Sequence, residues 1–572
     1  MLRITRTVFS SNSRFSLVTR RKSSYQWSYV SGTTEEPLTG LTLGQLIDAS
    51  ADKYGNQEAL ISMHQKSRKT FLEVKKDAEQ LGAGLINLGL QKGDRLGIWG
   101  PNSYQWYQTQ MAAAKAGLVL VNVNPGYKSS ELKYCINKVG IKALISAESF
   151  RSTDYFKVFS ELNSEDIPSL EHFIMMSGAK GKSLKFCDVL HSGLLEDYRT
   201  LSLMENVIQM DDPVNIQFTS GTTGNPKGAC LSHHNIVNNA KFLGLRLGYH
   251  LKPHKIAFPA PLYHTFGCVM ANICAMHHGA TVVLTGPHFN AKETLIAIDQ
   301  EKCNAVYGTP TMFTDMIETL KSYPIDTTCL ETGIMAGAPC PEKLCQDVIK
   351  YLNMDKFTIA YGMTETSPVS FQGFPEDSLE LKTTTIGYPV PHVEVKVVDD
   401  QGRIVPTGTP GELCTRGYNV MLGYWNDEEK TSELIGKDRW LRSGDLGIIH
   451  ANGYGQVVGR IKDMVIRGGE NLFPREIEEV LGHHPAVAEA YVIGVPDPRF
   501  GEELCAWIKL HSDCSSDLSE VDIKDFCRES LAHFKVPKYI LFVDEFPQTV
   551  TGKIQKYKMR EESIDLLQLN KH

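Results

Sequence analysis

Between Thr219 and Gly228 the chain reads Thr219-Ser220-Gly221-Thr222-Thr223-Gly224-Asn225-Pro226-Lys227-Gly228. Three glycines, four hydroxyl side chains and a lysine stand within ten positions. Such a turn offers backbone N–H and side-chain O–H donors to phosphate oxygens, and Lys227 adds a positive charge. The chemistry this points to is the binding of nucleotide phosphates. It is not the Walker loop, in which Gly-Lys-Ser/Thr closes four spacers after a first glycine. The chain's own Gly-Lys-Ser, Gly181 to Ser183, has Met176 where that glycine would stand.

Five further segments follow in order: Tyr361-Gly362-Met363-Thr364-Glu365, Gly411-Glu412-Leu413, Trp440 to Asp445, Gly459-Arg460-Ile461-Lys462-Asp463 and Gly552-Lys553. With the glycine-rich loop they resemble the signature set of the adenylate-forming superfamily. That superfamily includes acyl-CoA synthetases, peptide-synthetase adenylation domains and firefly luciferase. The resemblance runs from about residue 40 through nearly the whole chain. Departures are small. Ser443 replaces the commoner threonine before Gly444-Asp445, and Met363 sits inside the Tyr-Gly-x-Thr-Glu segment.

The resemblance implies an acyl-CoA ligase that works through an acyl-adenylate, with ATP, Mg²⁺ and coenzyme A. The acid substrate is already ionised near neutral pH, since carboxylic acids titrate near ~4–5, so no general base is required. Chemistry at phosphorus is then mostly positioning and charge neutralisation. By resemblance, Thr219 to Lys227 hold the ATP phosphates, and Gly337, Ala338, Pro339, Tyr361 and Gly362 line the nucleotide. Thr364 holds the α-phosphate, Glu365 ligates Mg²⁺, Asp445 accepts from the ribose hydroxyls and Arg460 assists. Lys553 reaches the carboxylate and the α-phosphate, while His264 borders the acyl pocket. Lys462 is the hinge about which a C-terminal lid turns to bring Gly468, Gly469, Glu470 and Asn471 to the pantetheine arm. A luciferase-like acyl-adenylate oxygenase shares these segments and stays open as an alternative, as does a non-catalytic nucleotide-binding scaffold.

The elements that must carry these groups are partly legible. Val74, Ala78, Leu81, Leu85 and Leu88 share one helical face that ends at Gly89. A strand is expected around Leu96 to Trp99, a helix over Met111 to Ala116 and a strand over Leu118 to Val123. Alternation of this kind, continuing to about residue 390, implies parallel α/β sheets. Val214, Ile216 and Phe218 alternate ahead of the glycine-rich loop, and a helix is expected from Asn235. From His392 the texture turns antiparallel, with Val393, Val395 and Val397 on one face. Pro474, followed by Glu476, Glu478 and Glu479, reads as a helix start. The expected fold is α/β. A large N-terminal domain over 35–461 has parallel α/β sheets and a small antiparallel subdomain, and a mobile C-terminal α+β lid spans 462–572.

The chain of 572 residues is 42% hydrophobic and 22% charged, a globular composition. Its formal charge of −7 argues against a nucleic-acid partner, whose usual footprint is basic. Residues 1–34 carry Arg3, Arg6, Arg14, Arg20, Arg21 and Lys22, many serines and no acid before Glu35. That is the composition of a mitochondrial transit peptide, which places the protein in the matrix. No run approaches the ~18–20 apolar residues that cross a bilayer. The 13 cysteines form no Cys-x-x-Cys pair, so zinc or thioredoxin-like chemistry is not indicated. The closing Leu569-Asn570-Lys571-His572 lacks a Ser-Lys-Leu address.

Overall fold

The computed structural model describes residues 26–219, 226–511, 518–548 and 554–569. Ser220 to Asn225, Lys553 and the first 25 residues of the expected leader lie outside them.

Two large sheets dominate. In the eight-stranded sheet, six strands run parallel in the order Leu184–Lys185, His172–Met175, Ile141–Ser146, Arg95–Trp99, Val119–Val123 and Pro213–Thr219. Lys227–Ser232 and Gly423–Tyr424 then add antiparallel. Val119–Val123 is buried at all five positions, the pattern of an interior parallel strand covered on both faces. The nine-stranded sheet also holds six parallel strands, among them Ala305–Gly308, Thr332–Ala336 and Lys356–Gly362, with antiparallel strands at each edge.

The helix Phe71–Asn87 starts where the Thr70 side chain accepts from the Glu73 amide and Glu73 reaches back to the Thr70 N–H, a reciprocal cap. Val74, Ala78, Leu81 and Leu85 are buried along its length. Each buried leucine contributes roughly 2 kcal/mol. The expected helix over Met111 to Ala116 begins earlier, at Tyr104, where Ser103 caps the amide of Trp106. Its glutamines disguise it in sequence. Gln108 and Gln110 are buried, donating to the carbonyls of Asp77 and Cys268, so polar residues lie inward.

The glycine-rich loop does not run from a strand directly into a helix. It joins two antiparallel strands, with Thr219 opposite Lys227. The helix begins at His233, after Ser232 and Asn235 cap one another.

A third sheet of five antiparallel strands holds Tyr29–Ser31, Val393–Val398, Gly411–Gly417, Leu441–Ile449 and Gly455–Arg460. Its first strand lies within the 34 residues expected as a leader. Val30 is buried and pairs with Val395, so the folded part begins before that boundary.

Past the 3-10 turn Ile461–Asp463 the chain builds another sheet from Val465–Arg467, Glu470–Leu472, Val487–Asp497, Gly501–Leu510 and Tyr539–Phe542. The helix Pro474–Gly482 packs on it through Ile477 and Leu481. The buried cores here, around Val465, Leu504 and Trp507, share no residue with those of the preceding sheets. Among the described residues no helix is long and apolar enough to cross a membrane.

Candidate active site

In open parallel sheets ligands bind beyond the carboxyl ends of the strands. The sequence-derived candidates collect at such ends. Pro213–Thr219 runs into the glycine-rich loop, Thr332–Ala336 into Gly337-Ala338-Pro339, and Lys356–Gly362 into the turn Thr364–Thr366. Gly337 has φ +92°, and an added Cβ would meet only Thr309 at 3.6 Å. Backbone conformation rather than space therefore asks for glycine there.

Asp445 is held from both sides. It is 7% exposed and sits in Leu441–Ile449 opposite Arg460. The Tyr361 hydroxyl donates to Asp445 Oδ2 at 2.6 Å, and Arg460 Nε lies 3.0 Å from Oδ1. The Asp445 amide donates to Ser443 Oγ at 3.0 Å. Burial, then the adjacent carboxylate, pushes the Tyr361 phenol well up, which keeps it a donor. For Arg460 burial works the other way, but the charges of Asp445 and Asp463 outweigh it and hold the guanidinium above its ordinary value. A buried carboxylate clamped by a phenol and a guanidinium is a fixed acceptor, suited to the hydroxyl pair of a ribose.

A second cluster surrounds Glu365, which is 6% exposed. The Met421 amide donates to its carbonyl at 3.0 Å, and the Tyr424 hydroxyl donates to Oε1 at 2.7 Å. Oε2 accepts from no donor among the described residues. Lys227 Nζ stands 4.9 Å from the centre of the Tyr424 ring. The Tyr134 hydroxyl donates to the carbonyl of Pro226 at 3.0 Å, and Thr219 Oγ1 to that of Lys227 at 3.5 Å. Both ends of the loop are thus pinned. Sequence reasoning missed Tyr134 and Tyr424, which carry no local signal; each meets its partner only through the sheet. Thr364 is half-buried beside Glu365. Among the described residues no group of three or more His, Cys, Asp or Glu is arranged to hold a metal ion. A divalent cation here would sit on one carboxylate and on phosphate oxygens, as Mg²⁺ commonly does.

His264 is half-buried at the start of a π-helix, Phe266–Ile273, all of whose residues are buried. Its Nδ1 accepts from the Phe266 amide at 3.2 Å. Asn122 donates to the carbonyl of Tyr263 at 2.8 Å and fixes the turn. Phe266 and Tyr307 stack with ring centres 6.1 Å apart, and Met312 belongs to the same apolar core.

The Gly468–Asn471 segment lies on the C-terminal sheet. Gly468 and Gly469 form a tight turn between Val465–Arg467 and Glu470–Leu472, with φ of +59° and +90°. The Gly468 amide donates to the carbonyl of Phe500 at 2.8 Å, while Glu470 and Asn471 are exposed. Lys462 lies in the connecting turn Ile461–Asp463. Nearby, Arg475 donates to the carbonyl of Val457 at 2.5 Å and ties the C-terminal part to the third sheet.

A family model described as AMP-binding enzyme matches residues 47–425, and one described as AMP-binding enzyme C-terminal domain matches residues 476–553. The chain belongs to this family and, within it, to the AMP-forming acyl-CoA ligases. It is 43% identical over 559 residues to the mitochondrial medium-chain acyl-CoA ligase ACSF2 of Mus musculus, covering 95% of this chain and 91% of that one. Among solved structures it resembles the anthranilate CoA ligase AuaEII in complex with anthranoyl-AMP. The TM-score is 0.83 at 27% identity, over 94% of this chain and 99% of that one. ATP-bound MatB from Rhodopseudomonas palustris gives a TM-score of 0.80 at 26% identity, over 92% and 100% of the two chains.

Proposed function

We propose that this chain joins a medium-chain fatty acid to coenzyme A in two steps. A carboxylate oxygen attacks the α-phosphorus of ATP, the bond to the β-phosphate breaks and diphosphate leaves. The CoA sulfur then attacks the acyl carbonyl and AMP leaves. The observation that carries the reading is the clamp on Asp445: a buried, fixed acceptor for a ribose, in a chain that belongs to the acyl-CoA ligases.

The residues divide the work. Thr219 to Lys227 hold the phosphates, Gly337 to Pro339 and Tyr361-Gly362 the adenosine, and Thr364 the α-phosphate. Glu365 holds Mg²⁺, and its Oε2, which accepts from no donor among the described residues, suits an oxygen-loving cation. When bound, that ion neutralises phosphate charge. Lys553 meets the carboxylate and the α-phosphate during adenylation. The nucleotide domain runs from the strand Tyr29–Ser31, ahead of the boundary at residue 35, to residue 461, and 462–572 form a lid with Lys462 as its hinge; the separate cores on either side support this division. After adenylation the lid turns and presents Gly468 to Asn471 to the CoA arm. The acyl chain lies along the wall formed by His264, the π-helix and Met312. The acid-free leader, together with the mitochondrial relative, supports residence in the matrix.

The test is a panel of acids from acetate upward in chain length, assayed for CoA-dependent AMP formation. Each buried CH₂ contributes roughly 0.8 kcal/mol, so kcat/KM rises by about tenfold or somewhat more per two carbons to a medium-chain optimum. A flat profile, or a preference for acetate or an amino acid, overturns the medium-chain assignment.

A further inference from the structure

We infer that Tyr424 is a positioning residue for adenylation: its hydroxyl fixes the Glu365 carboxylate for a divalent cation, and its ring seats the Lys227 ammonium beside the phosphate loop. This rests on the function proposed above.

The stretch Met421 to Tyr424 grips Glu365 at both ends. Its first amide donates to the Glu365 carbonyl at 3.0 Å, and its last side chain donates to Oε1 at 2.7 Å. Tyr424 is itself locked in place. It pairs with Ala229 on the strand leaving the phosphate loop, and its amide donates to Thr431 Oγ1 at 2.8 Å. Gly423 before it has φ +153°, and an added Cβ would meet Thr431 at 2.9 Å, so the approach is fixed.

The ring has a second role. It contacts Lys227 Nζ at 4.9 Å on its face while its hydroxyl meets Glu365. No ion pair joins Lys227 to Glu365. Were the two to pair directly, each would quench the charge the other side of the reaction needs. The tyrosine holds both, through a cation–π contact and a hydrogen bond. The ammonium stays available to phosphate and Oε2 to the cation.

The experiment measures ATP binding by calorimetry across a series of Mg²⁺ concentrations, with the full chain. Its variants are Tyr424→Phe, Tyr424→Leu, Glu365→Gln and the Tyr424→Phe/Glu365→Gln pair. Tyr424→Phe keeps the ring and removes one hydrogen bond to a charged group, so the Mg²⁺ midpoint rises about tenfold while metal-free ATP affinity holds. Tyr424→Leu lowers metal-free affinity as well. On the Glu365→Gln background Tyr424→Phe shifts the midpoint no further. Thermal unfolding of each variant is followed alongside. A Tyr424→Phe midpoint within about twofold of wild type overturns the inference and leaves the proposed function standing. So does an equal shift with and without Glu365, whatever the melting temperature. A wild-type chain that binds no ATP at any Mg²⁺ concentration overturns both.

Discussion

Asp445 illustrates how little each residue does alone. Its carboxylate is held by a phenol 84 positions away in sequence and by a guanidinium directly across the sheet. Asp445→Asn keeps the shape but removes the charge that both partners address. Hydrogen bonds to charged groups contribute roughly 1.5–3 kcal/mol, so the KM for ATP should rise about ten- to a hundredfold while kcat changes less. Initial rates against ATP concentration check this, and an unchanged KM removes Asp445 from the nucleotide site. Lys553 calls for a different readout. On the proposed function, Lys553→Ala removes a cation from the point where charge develops, a loss of roughly 3–4 kcal/mol. Acyl-AMP formation should fall by about two to three orders of magnitude. Conversion of supplied acyl-AMP and CoA to thioester should stay near normal. Equal damage to both half-reactions would count against a lysine used in one step only.

At the level of elements, the turn between Val465–Arg467 and Glu470–Leu472 invites the converse experiment. Gly469 has φ +90° and an added Cβ meets nothing within 4 Å. Leucine there strains the backbone by roughly 1–2 kcal/mol, which a domain with its own core tolerates. Gly469→Leu should therefore fold, retain adenylation and lose most thioester formation, because the side chain fills the approach for a thin ligand arm. In the connecting turn, Lys462→Pro fixes φ at the proposed hinge. It should likewise spare pyrophosphate release and slow thioester formation. Pyrophosphate and thioester measured in parallel decide both cases; a Lys462→Pro chain normal in both steps rules out a hinge at that residue.

On the scale of the molecule, charge couples the two halves. The Asp315 carboxyl, on the helix Pro310–Ser322, feels the charge of Glu489 on the strand Val487–Asp497, and Lys509 and Glu318 act on it too, while the Tyr491 hydroxyl donates to Glu489 Oε2 at 3.2 Å. Partial desolvation, then the Glu489 charge, raises Asp315 above its ordinary value, although the side chain keeps an exposed face. Burial outweighs Lys509 and Tyr491 and raises Glu489 too. A carboxyl raised in the docked state binds protons more tightly there than when apart. Its contribution to docking is therefore complete below the ordinary value near ~4 and is lost as pH rises through the raised value. Cleavage of the 461–464 connection by a protease should accelerate as pH increases across that window. Asp315→Asn should flatten the dependence, and a pH-independent cleavage rate in the wild type would show that these carboxyls do not govern docking.

The sequence by itself determined what local chemistry could determine. The glycine-rich loop, the Tyr-Gly-x-Thr-Glu segment, the capped helix Phe71–Asn87 and the alternating valines 393, 395 and 397 are all readable because cap, turn and face depend on neighbours within a few positions. Their order along the chain was enough to indicate the family to which the chain belongs. What sequence could not supply is any pairing across distance. Tyr424 reaches Glu365 over 59 positions through the register of Gly423–Tyr424 on Lys227–Ser232, and no period or motif encodes that register. The three-residue strand Tyr29–Ser31 is too short to show a period, so it was hidden inside a leader-like composition. The helix from Tyr104 carries buried glutamines whose inward direction follows from carbonyls supplied by other elements. Tertiary structure decided these points because a buried polar group is stable only where distant chain segments satisfy it.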